Sequence, residues 1–258
     1  MLRLRNLGSG SSGNCTVVEA GDGRTVTRLL VDCGLGIRTL ENRLASAGLS
    51  FADLHAVFIT HEHSDHFGCV RTLALRHRLP VWMSAGTWRG GGGLDFDDLF
   101  KPAADGVPIE IGSLQINPFA VPHDAQEPLQ LTCTDGHRKL AILTDLGHVP
   151  PSVLAQLAGS HTLLLECNHE PDLLTASAYP AFLKKRVAGN HGHLANAQAA
   201  DALQSVRHDG LRHVVAAHLS ERNNQPALAR AALASVMDCP ASEIGVADSR
   251  EGTGWLDV

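Results

Sequence analysis

The chain has 258 residues, 44% of them hydrophobic, and a formal net charge of −6, which permits one good-sized core and argues against a strongly basic surface that wraps nucleic acid. Its six cysteines form no C-x-x-C pair, and neither a secretory leader nor a membrane span is expected. The composition therefore predicts a cytoplasmic protein with reduced thiols and no membrane partner, and it leaves the oligomeric state open.

Strands dominate the elements predicted for the first half of the chain. Apolar runs rich in β-branched residues predict strands, and apolar residues at helical spacing predict helices. The predicted strands are 16–20, 29–32, 56–59, 80–84, 109–111, 114–116, 119–123, 129–134 and 139–144. Helices are predicted to end at Gly48 and to cover 70–76, and residues 89–93 predict a glycine-rich loop.

Strands and helices alternate in the second half. Helices are predicted at 153–157, 181–187, 195–206 and 226–237, and strands at 162–166 and 213–218. Residues 245–247 and 252–258 predict a final hairpin. No repeat or linker divides the chain, so residues 1–258 are expected to form a single α/β domain of two sheets with helices packed outside.

The segment His61-Glu62-His63-Ser64-Asp65-His66 follows a buried strand directly. Three histidines and an aspartate within six positions are hard to explain as core packing and indicate a metal site. Side chains two residues apart in an extended segment point the same way, so His61 and His63 can reach one ion. Asp65 and His66 follow a turn and can reach a second ion, roughly 3.5–4 Å from the first.

A pattern of strand ends suggests where further ligands come from. At five places an apolar strand ends and a residue able to bind metal follows: Asp32, His61, His123, Asp145 and His218. Functional sites in layered α/β folds gather where loops converge at strand ends, so these positions are expected to meet at one rim. Imidazole and carboxylate ligands indicate two divalent ions, either zinc or manganese, with iron also possible.

The order and types of these residues resemble the metallo-β-lactamase superfamily, whose signature matches residues 61–66 at every position. The resemblance covers nearly the whole chain and implies a four-layer αββα metallo-β-lactamase sandwich with a dinuclear site at one edge. Asp32 is implied to support the ligands from behind. The implied ligands are His61, His63 and His123 for one ion, Asp65, His66 and His218 for the other, and Asp145 as a bridge.

Within the superfamily, the chain is most similar to the YycJ/WalJ-type subgroup, which is regarded as DNA exonucleases. The segments that carry this similarity are 9–15, 32–34, 60–66, 122–125, 166–169, 192–196 and 217–224. Glu166, a later loop histidine and His218 also resemble the nucleases that process the 3′ ends of transfer RNA. That similarity implies that His193 protonates the leaving oxygen with Glu166 as its partner, and His169 and His191 remain rivals for the role of acid.

These features favour a two-metal phosphodiesterase that acts on DNA, of the 5′–3′ exonuclease type by family resemblance. A hydroxide that bridges the metals would be the nucleophile. The predicted catalytic residues are Asp65, Glu166 and His193. The predicted substrate contacts are Ser11, Ser12, Asn14, Asn168, Arg222 and Asn223. Residues 184–186 add a short basic edge, although such a run is more often a solvated helix face.

The metal ligands alone do not choose the substrate. A small-molecule hydrolase, such as a lactonase, a thioesterase or a cyclic phosphodiesterase, would use the same two-metal site. Glu166, His193 and Arg222 favour phosphoester chemistry. A di-iron oxidoreductase fits poorly, because those relatives usually carry a glutamate at the position of His63.

Overall fold

Two seven-stranded sheets form the centre of the computed structural model, which describes residues 1–258. The strands are β1 (Leu2–Gly8), β2 (Cys15–Gly21), β3 (Val26–Val31), β4 (Ala56–Phe58), β5 (Val81–Met83), β6 (Phe100–Pro102), β7 (Ile109–Ile111), β8 (Leu114–Ala120), β9 (Leu129–Thr134), β10 (Lys139–Leu143), β11 (Thr162–Glu166), β12 (His213–Ala217), β13 (Gly245–Val246) and β14 (Leu256–Asp257). The helices are α1 (Ile37–Ser46), α2 (Ser64–Phe67), α3 (Val70–His77), α4 (Ala85–Gly90), α5 (Pro151–Leu157), α6 (Pro171–Ala176), α7 (Ala181–Val187), α8 (Asn196–Val206) and α9 (Pro226–Met237).

Both sheets combine an antiparallel part with a parallel part. The first sheet has the order β14-β1-β2-β3-β4-β5-β6, and it is parallel from β3 to β6. The second has the order β13-β12-β11-β10-β9-β8-β7, and it is parallel from β10 to β13. The carboxyl ends of parallel strands share one edge of their sheet, so each parallel part brings the ends of its strands together.

Three apolar cores define four layers. Phe58, Leu131 and Val215 belong to the core between the two sheets. A second core, which includes Leu40 of α1, lies against the outer face of the first sheet, and a third, which includes Leu203 of α8, covers the second sheet. Full burial of each large apolar side chain contributes about 1.5–3 kcal/mol. The α/β sandwich with helices outside, predicted from the sequence, is confirmed.

The internal strands read as continuous apolar runs because both of their faces are buried. All five residues of β11 are buried, and this strand covers the predicted range 162–166. Helix α9 also has its predicted bounds, and Pro226 occupies its first turn, where a missing backbone N–H costs little. No helix in the structure has the length and apolar character needed to cross a membrane.

The predicted final hairpin is wrong. β13 pairs in parallel with β12 in the second sheet, whereas β14 pairs antiparallel with β1 in the first sheet. The tail therefore crosses from one sheet to the other, since pairing with distant strands prevails over the local turn signal. The glycine loop predicted over 89–93 begins two residues late, because α4 extends through Arg89 and Gly90. This helix starts after Ser84, whose side chain accepts a hydrogen bond from the Thr87 N–H.

Candidate metal centre

The histidine-rich loop after β4 is locked against two neighbouring loops. The Cys33 N–H donates to the His66 carbonyl at 2.7 Å, and the Asn14 N–H donates to the Asp65 carbonyl at 2.7 Å. A side chain at Gly34 would overlap the Asp65 carbonyl, so only glycine permits this close approach of the two backbones. The local sequence thus fixes the backbone from which the candidate ligands project.

Three imidazoles converge in the first cluster. His61 Nε2 lies 3.1 Å from His63 Nδ1, and the same His63 nitrogen lies 3.3 Å from His123 Nε2. His61 and His123 are buried. The Nδ1 of His123 lies 3.1 Å from the Gly192 carbonyl and donates to it, which leaves Nε2 as the free lone pair. Imidazole nitrogens that converge from three side chains in this way suit a shared cation.

A second cluster lies beside the first. His66 Nε2 is 3.7 Å from Asp65 Oδ2, and His218 Nε2 is 3.5 Å from that same oxygen. His66 Nδ1 donates to Asp32 Oδ2 at 2.7 Å, so its Nε2 faces Asp65. Asp32 also accepts from the Thr60 N–H at 2.9 Å, which ties the end of β3 to the histidine-rich loop. The predicted supporting position of Asp32 agrees with these contacts.

Asp145 lies between the two clusters. One group of possible ligand atoms joins Asp145 with His61 and His66, and another joins it with His218. The buried Asp145 Oδ2 and His218 Nε2 form no hydrogen bond, although Asp145 Oδ2 lies 3.1 Å from His66 Nε2. Buried polar atoms are rarely left without a partner. Ligand-type atoms left unpaired at the centre of the cluster therefore fit bound cations.

Negative charge is concentrated in the centre. Burial alone would favour neutral His218, but the carboxylates of Asp145, Asp65 and Glu166 raise its pKa to about 10. Burial likewise opposes the charged form of His66, yet Asp145 and Asp32 raise its pKa well above the ordinary value. His218 and His66 therefore hold their protons strongly in the metal-free protein. Bound metal cations would replace those protons.

Backbone strain marks the ends of three strands at this rim. Asp32, Asp145 and His218 have φ of 62°, 54° and 52°, in the left-handed region that residues other than glycine rarely occupy. Such conformations cost about 1–3 kcal/mol each and concentrate at functional sites. The three strained residues all contribute to the cluster at this rim.

Glu166, which is buried, and His193, which is half-buried, form a hydrogen-bonded pair at the edge of the centre. His193 Nδ1 lies 2.7 Å from Glu166 Oε1, and Oε2 accepts from the N–H groups of Leu146 at 3.1 Å and Leu194 at 3.2 Å. Burial would raise the pKa of Glu166, but His193, together with the hydrogen bond from His218, lowers it to about 2. Burial opposes charging of His193, and Glu166 nevertheless raises its pKa. The pair thus combines a buried anion with a polarised imidazole.

The rival histidines occupy different positions. His169 is buried with its Nδ1 unpaired, and its backbone pairs with Ala195. His191 is exposed, and its carbonyl accepts from the Asp124 N–H. Neither forms a side-chain hydrogen bond with Glu166, whereas His193 does.

The predicted substrate contacts separate into three groups. Ser11 lines a cavity of about 310 Å³ together with His63, Asp65, Asp145, His193 and His218. Ser12 and Arg222 are exposed at the surface. The other three are buried and do not line this cavity: Asn14, Asn168 and Asn223.

Contacts of the buried asparagines give them other roles. Asn14 Nδ2 lies 2.9 Å from His66 Nε2, and Asn168 Nδ2 donates to the His218 carbonyl at 3.0 Å. Asn223 lies in a turn that its N–H closes onto Ser220 Oγ. Because Asn168 and Asn223 are buried and do not line the cavity, contact of these two side chains with substrate stays a prediction.

Two features of the cavity wall were not predicted. Asp124 Oδ2 accepts from Arg186 Nε at 2.5 Å, and Asp124 Oδ1 lies 3.4 Å from His123 Nε2. Tyr179, the single tyrosine of the chain, also lines the cavity. Asp124 is adjacent in sequence to a predicted ligand, which is a signal that could have identified it, whereas the position of Tyr179 depends on tertiary structure.

A family model, two sequence relatives and a solved structure all match this chain over most of its length. Residues 27–219 match a family model described as a beta-lactamase superfamily domain. The exodeoxyribonuclease YycJ of Bacillus anthracis is 34% identical over 241 residues, which cover 92% of this chain and 89% of that protein. The exodeoxyribonuclease WalJ of Streptococcus pneumoniae serotype 2 is 31% identical over 228 residues, covering 86% and 83%. The crystal structure of the metallo-beta-lactamase fold protein YhfI from Bacillus subtilis has a TM-score of 0.76 at 18% identity, covers 100% of both chains, and shows the same fold.

Proposed function

The chain belongs to the metallo-β-lactamase superfamily and is a metal-dependent hydrolase, and we propose that it is a two-metal exonuclease that hydrolyses phosphodiester bonds in DNA. The observation that carries this proposal is the hydrogen bond of 2.7 Å between His193 Nδ1 and Glu166 Oε1. His193 lines the same cavity as the candidate ligands, so a proton donor and a cation site face one space. Thioester hydrolysis has less need of a separate acid of this kind, because a thiolate leaves more readily than an alkoxide.

Seven side chains would hold the two divalent ions, zinc or manganese. They are His61, His63 and His123 for one ion, Asp65, His66 and His218 for the other, and Asp145 between them. When bound, such ions lower the pKa of a water molecule and neutralise charge on phosphoryl oxygens. Asp65 thereby becomes a catalytic residue through the ion that it would bind.

The leaving oxygen needs a proton, because an alkoxide is a poor leaving group at neutral pH. His193 Nε2 has no protein partner, while Nδ1 donates to Glu166 and fixes the orientation of the ring. We therefore assign proton donation to His193 Nε2. Glu166 stabilises the charged imidazole before transfer and is held by hydrogen bonds from the Leu146 and Leu194 N–H groups.

Ser11 in the cavity wall and Arg222 at the surface remain the proposed contacts to the DNA backbone. The net charge of −6 weakens general attraction of DNA, so binding should depend on these local groups and fall with added salt. DNA is chosen as the substrate because two relatives that match most of the chain are named exodeoxyribonucleases. The 5′-to-3′ polarity that the family resemblance implies is kept as part of this proposal.

The test uses single- and double-stranded DNA and RNA labelled at the 5′ or the 3′ end. The purified protein is incubated with each strand and with manganese, zinc or magnesium. Stepwise release of nucleotides from the 5′ end of DNA is expected. Absence of cleavage of every strand, with turnover of a lactone, a thioester or a cyclic nucleotide, would overturn the proposal in favour of a small-molecule hydrolase.

A further inference from the structure

Helix α7 (Ala181–Val187) forms part of the wall of the metal-site cavity but buries none of its side chains. Phe182, on this helix, has 73% of its surface exposed. Lys184, Lys185 and Arg186 follow it, and no carboxylate occurs between Asp172 and Asp201. Because this helix contributes no buried side chain to the core, packing does not explain its aromatic and basic residues. We call residues 179–187 the roof segment.

Tyr179 begins the roof segment and lines the cavity together with His63, Asp65 and His193. The guanidinium carbon of Arg222, which follows β12, lies over the Tyr179 ring at 5.9 Å from its centroid. This distance is within the range of a cation–π contact, which orients the ring. Tyr179 is half-buried, and its side chain forms no hydrogen bond within the protein, so the ring is not committed to another contact besides that with Arg222.

We propose that Tyr179 and Phe182 are a stacking platform for unpaired bases of a single-stranded DNA end, and that they place the terminal phosphodiester in the metal centre. This inference rests on the proposed function. Arg222 lies over the Tyr179 ring, and Lys185 lies on the same helix as Phe182. Aromatic and basic side chains together combine base stacking with attraction of phosphates, which is the combination that binds single strands without sequence preference. A paired base has no free face, so the platform selects single strands over duplex.

The placement of the two rings gives the strand a direction through the site. Tyr179 shares the cavity with the candidate ligands, whereas Phe182 is exposed on the outer part of the roof segment. A base next to the scissile bond would therefore stack on Tyr179, and a later base would reach Phe182. Stacking contributes about 5- to 150-fold in binding per base.

The experiment compares wild type with Tyr179→Ala, Tyr179→Phe, Phe182→Ala and Val107→Ala. Val107 is also an exposed apolar residue, but it lies outside the cavity and serves as the matched control. Each protein is given two single-stranded DNA substrates that differ only in whether the terminal nucleotides carry bases or are abasic. Cleavage rates yield kcat and KM, anisotropy of the labelled strands yields Kd, and metal content is measured for every variant.

With the normal strand, Tyr179→Ala should lower kcat/KM about 5- to 150-fold, mainly through KM, with unchanged metal content. Tyr179→Phe should restore most of that loss, and Val107→Ala should match wild type. With the abasic strand, wild type should already be weakened, and Tyr179→Ala should cause little further loss. Phe182→Ala should show a smaller effect of the same kind.

Equal losses on both strands, or no loss on either, would overturn the stacking platform while leaving the proposed function intact. A wild type that binds the normal strand more tightly than Tyr179→Ala does, but cleaves no DNA, would retain the platform and remove the proposed function. A wild type that neither binds nor cleaves DNA would remove both.

Discussion

His193 Nδ1 lies 2.7 Å from Glu166 Oε1, and the same carboxylate oxygen lies 3.2 Å from His218 Nδ1. One fully buried carboxylate thus joins the proposed proton donor to a proposed metal ligand. The two histidines come from different parts of the chain, the loop before α8 and the end of β12. Their common partner keeps the donor at a fixed position relative to the metal centre.

The role of His193 depends on the leaving group. His193→Gln should lower kcat on DNA about 10²- to 10⁴-fold, because the leaving alkoxide loses its proton donor. A p-nitrophenyl phosphodiester releases a stable anion without a proton, so its hydrolysis should change little in the same variant. His191→Gln is the control, because His191 is exposed and has no contact with Glu166. Equal losses on both substrates would show that His193 supports the site rather than donating a proton.

Replacement of Glu166 should affect both stability and rate. Glu166→Gln keeps the shape but replaces one carboxylate oxygen by an amide N–H₂, which then faces either the two histidine Nδ1 atoms at Oε1 or the two backbone N–H groups at Oε2. An unsatisfied buried group of this kind costs about 1–3 kcal/mol, so the free energy of unfolding of the metal-free protein should fall by that amount. Denaturant titration measures it. Cleavage of DNA should fall as for His193→Gln, and an unchanged unfolding midpoint would contradict the assigned contacts.

Metal binding should release protons at pH 8. The carboxylates around His218 overcome its burial and raise its pKa to about 10, so the ring is protonated at pH 8 in the metal-free protein. An ordinary histidine is already neutral at that pH. A ligand must lose its proton, so metal affinity should rise with pH up to about 10.

Calorimetric titration of manganese into the metal-free protein, in buffers with different ionisation enthalpies, counts the released protons. His218→Gln is the matched variant and should release fewer. Binding without proton release at pH 8 would contradict the proposed charge state of the centre.

Asp32 should act on metal affinity through His66. Asp32→Asn keeps the size of the side chain and tolerates the left-handed backbone at this position, where φ is 62°. It weakens the contact of 2.7 Å that orients His66. Loss of such a supporting partner typically costs 10- to 100-fold in metal affinity, which competition with a chelator measures. An affinity equal to that of wild type would indicate that the histidine-rich loop alone orients His66.

The metal centre was more predictable than its surroundings. Residues 61–66 are contiguous, and Asp32, Asp145 and His218 follow apolar strands, so local pattern was sufficient to predict that they gather. The burial of Asn168 and Asn223 depends on how loops pack, which residue type does not reveal. The sequence around Tyr179 likewise did not indicate a site residue. Its position in the cavity depends on tertiary contacts, with Arg222 and with a helix that has no buried face.

Among the strands, too, those with a clear local pattern were predictable, and those defined by tertiary pairing were not. The internal strand β11 was predictable because both of its faces are buried and its three central residues, 163–165, are all leucine. The pairing of β13 with β12 and of β14 with β1 was not, because a two-residue strand carries little local signal. β1 was also missed, since Arg3 and Arg5 interrupt its apolar pattern. In the structure, Arg3 is neutralised by Glu19 of β2 at 2.6 Å.

The proposal that two ions in one centre hydrolyse DNA can be tested by a stoichiometric activation curve. Metal-free protein at a concentration far above its Kd receives manganese in steps, and cleavage of labelled single-stranded DNA is measured at each step. Cleavage should rise to a plateau at two equivalents per chain. In His61→Ala/Asp65→Ala, both metal content and cleavage should be lost. A plateau at one equivalent, or full cleavage by metal-free protein, would contradict the account.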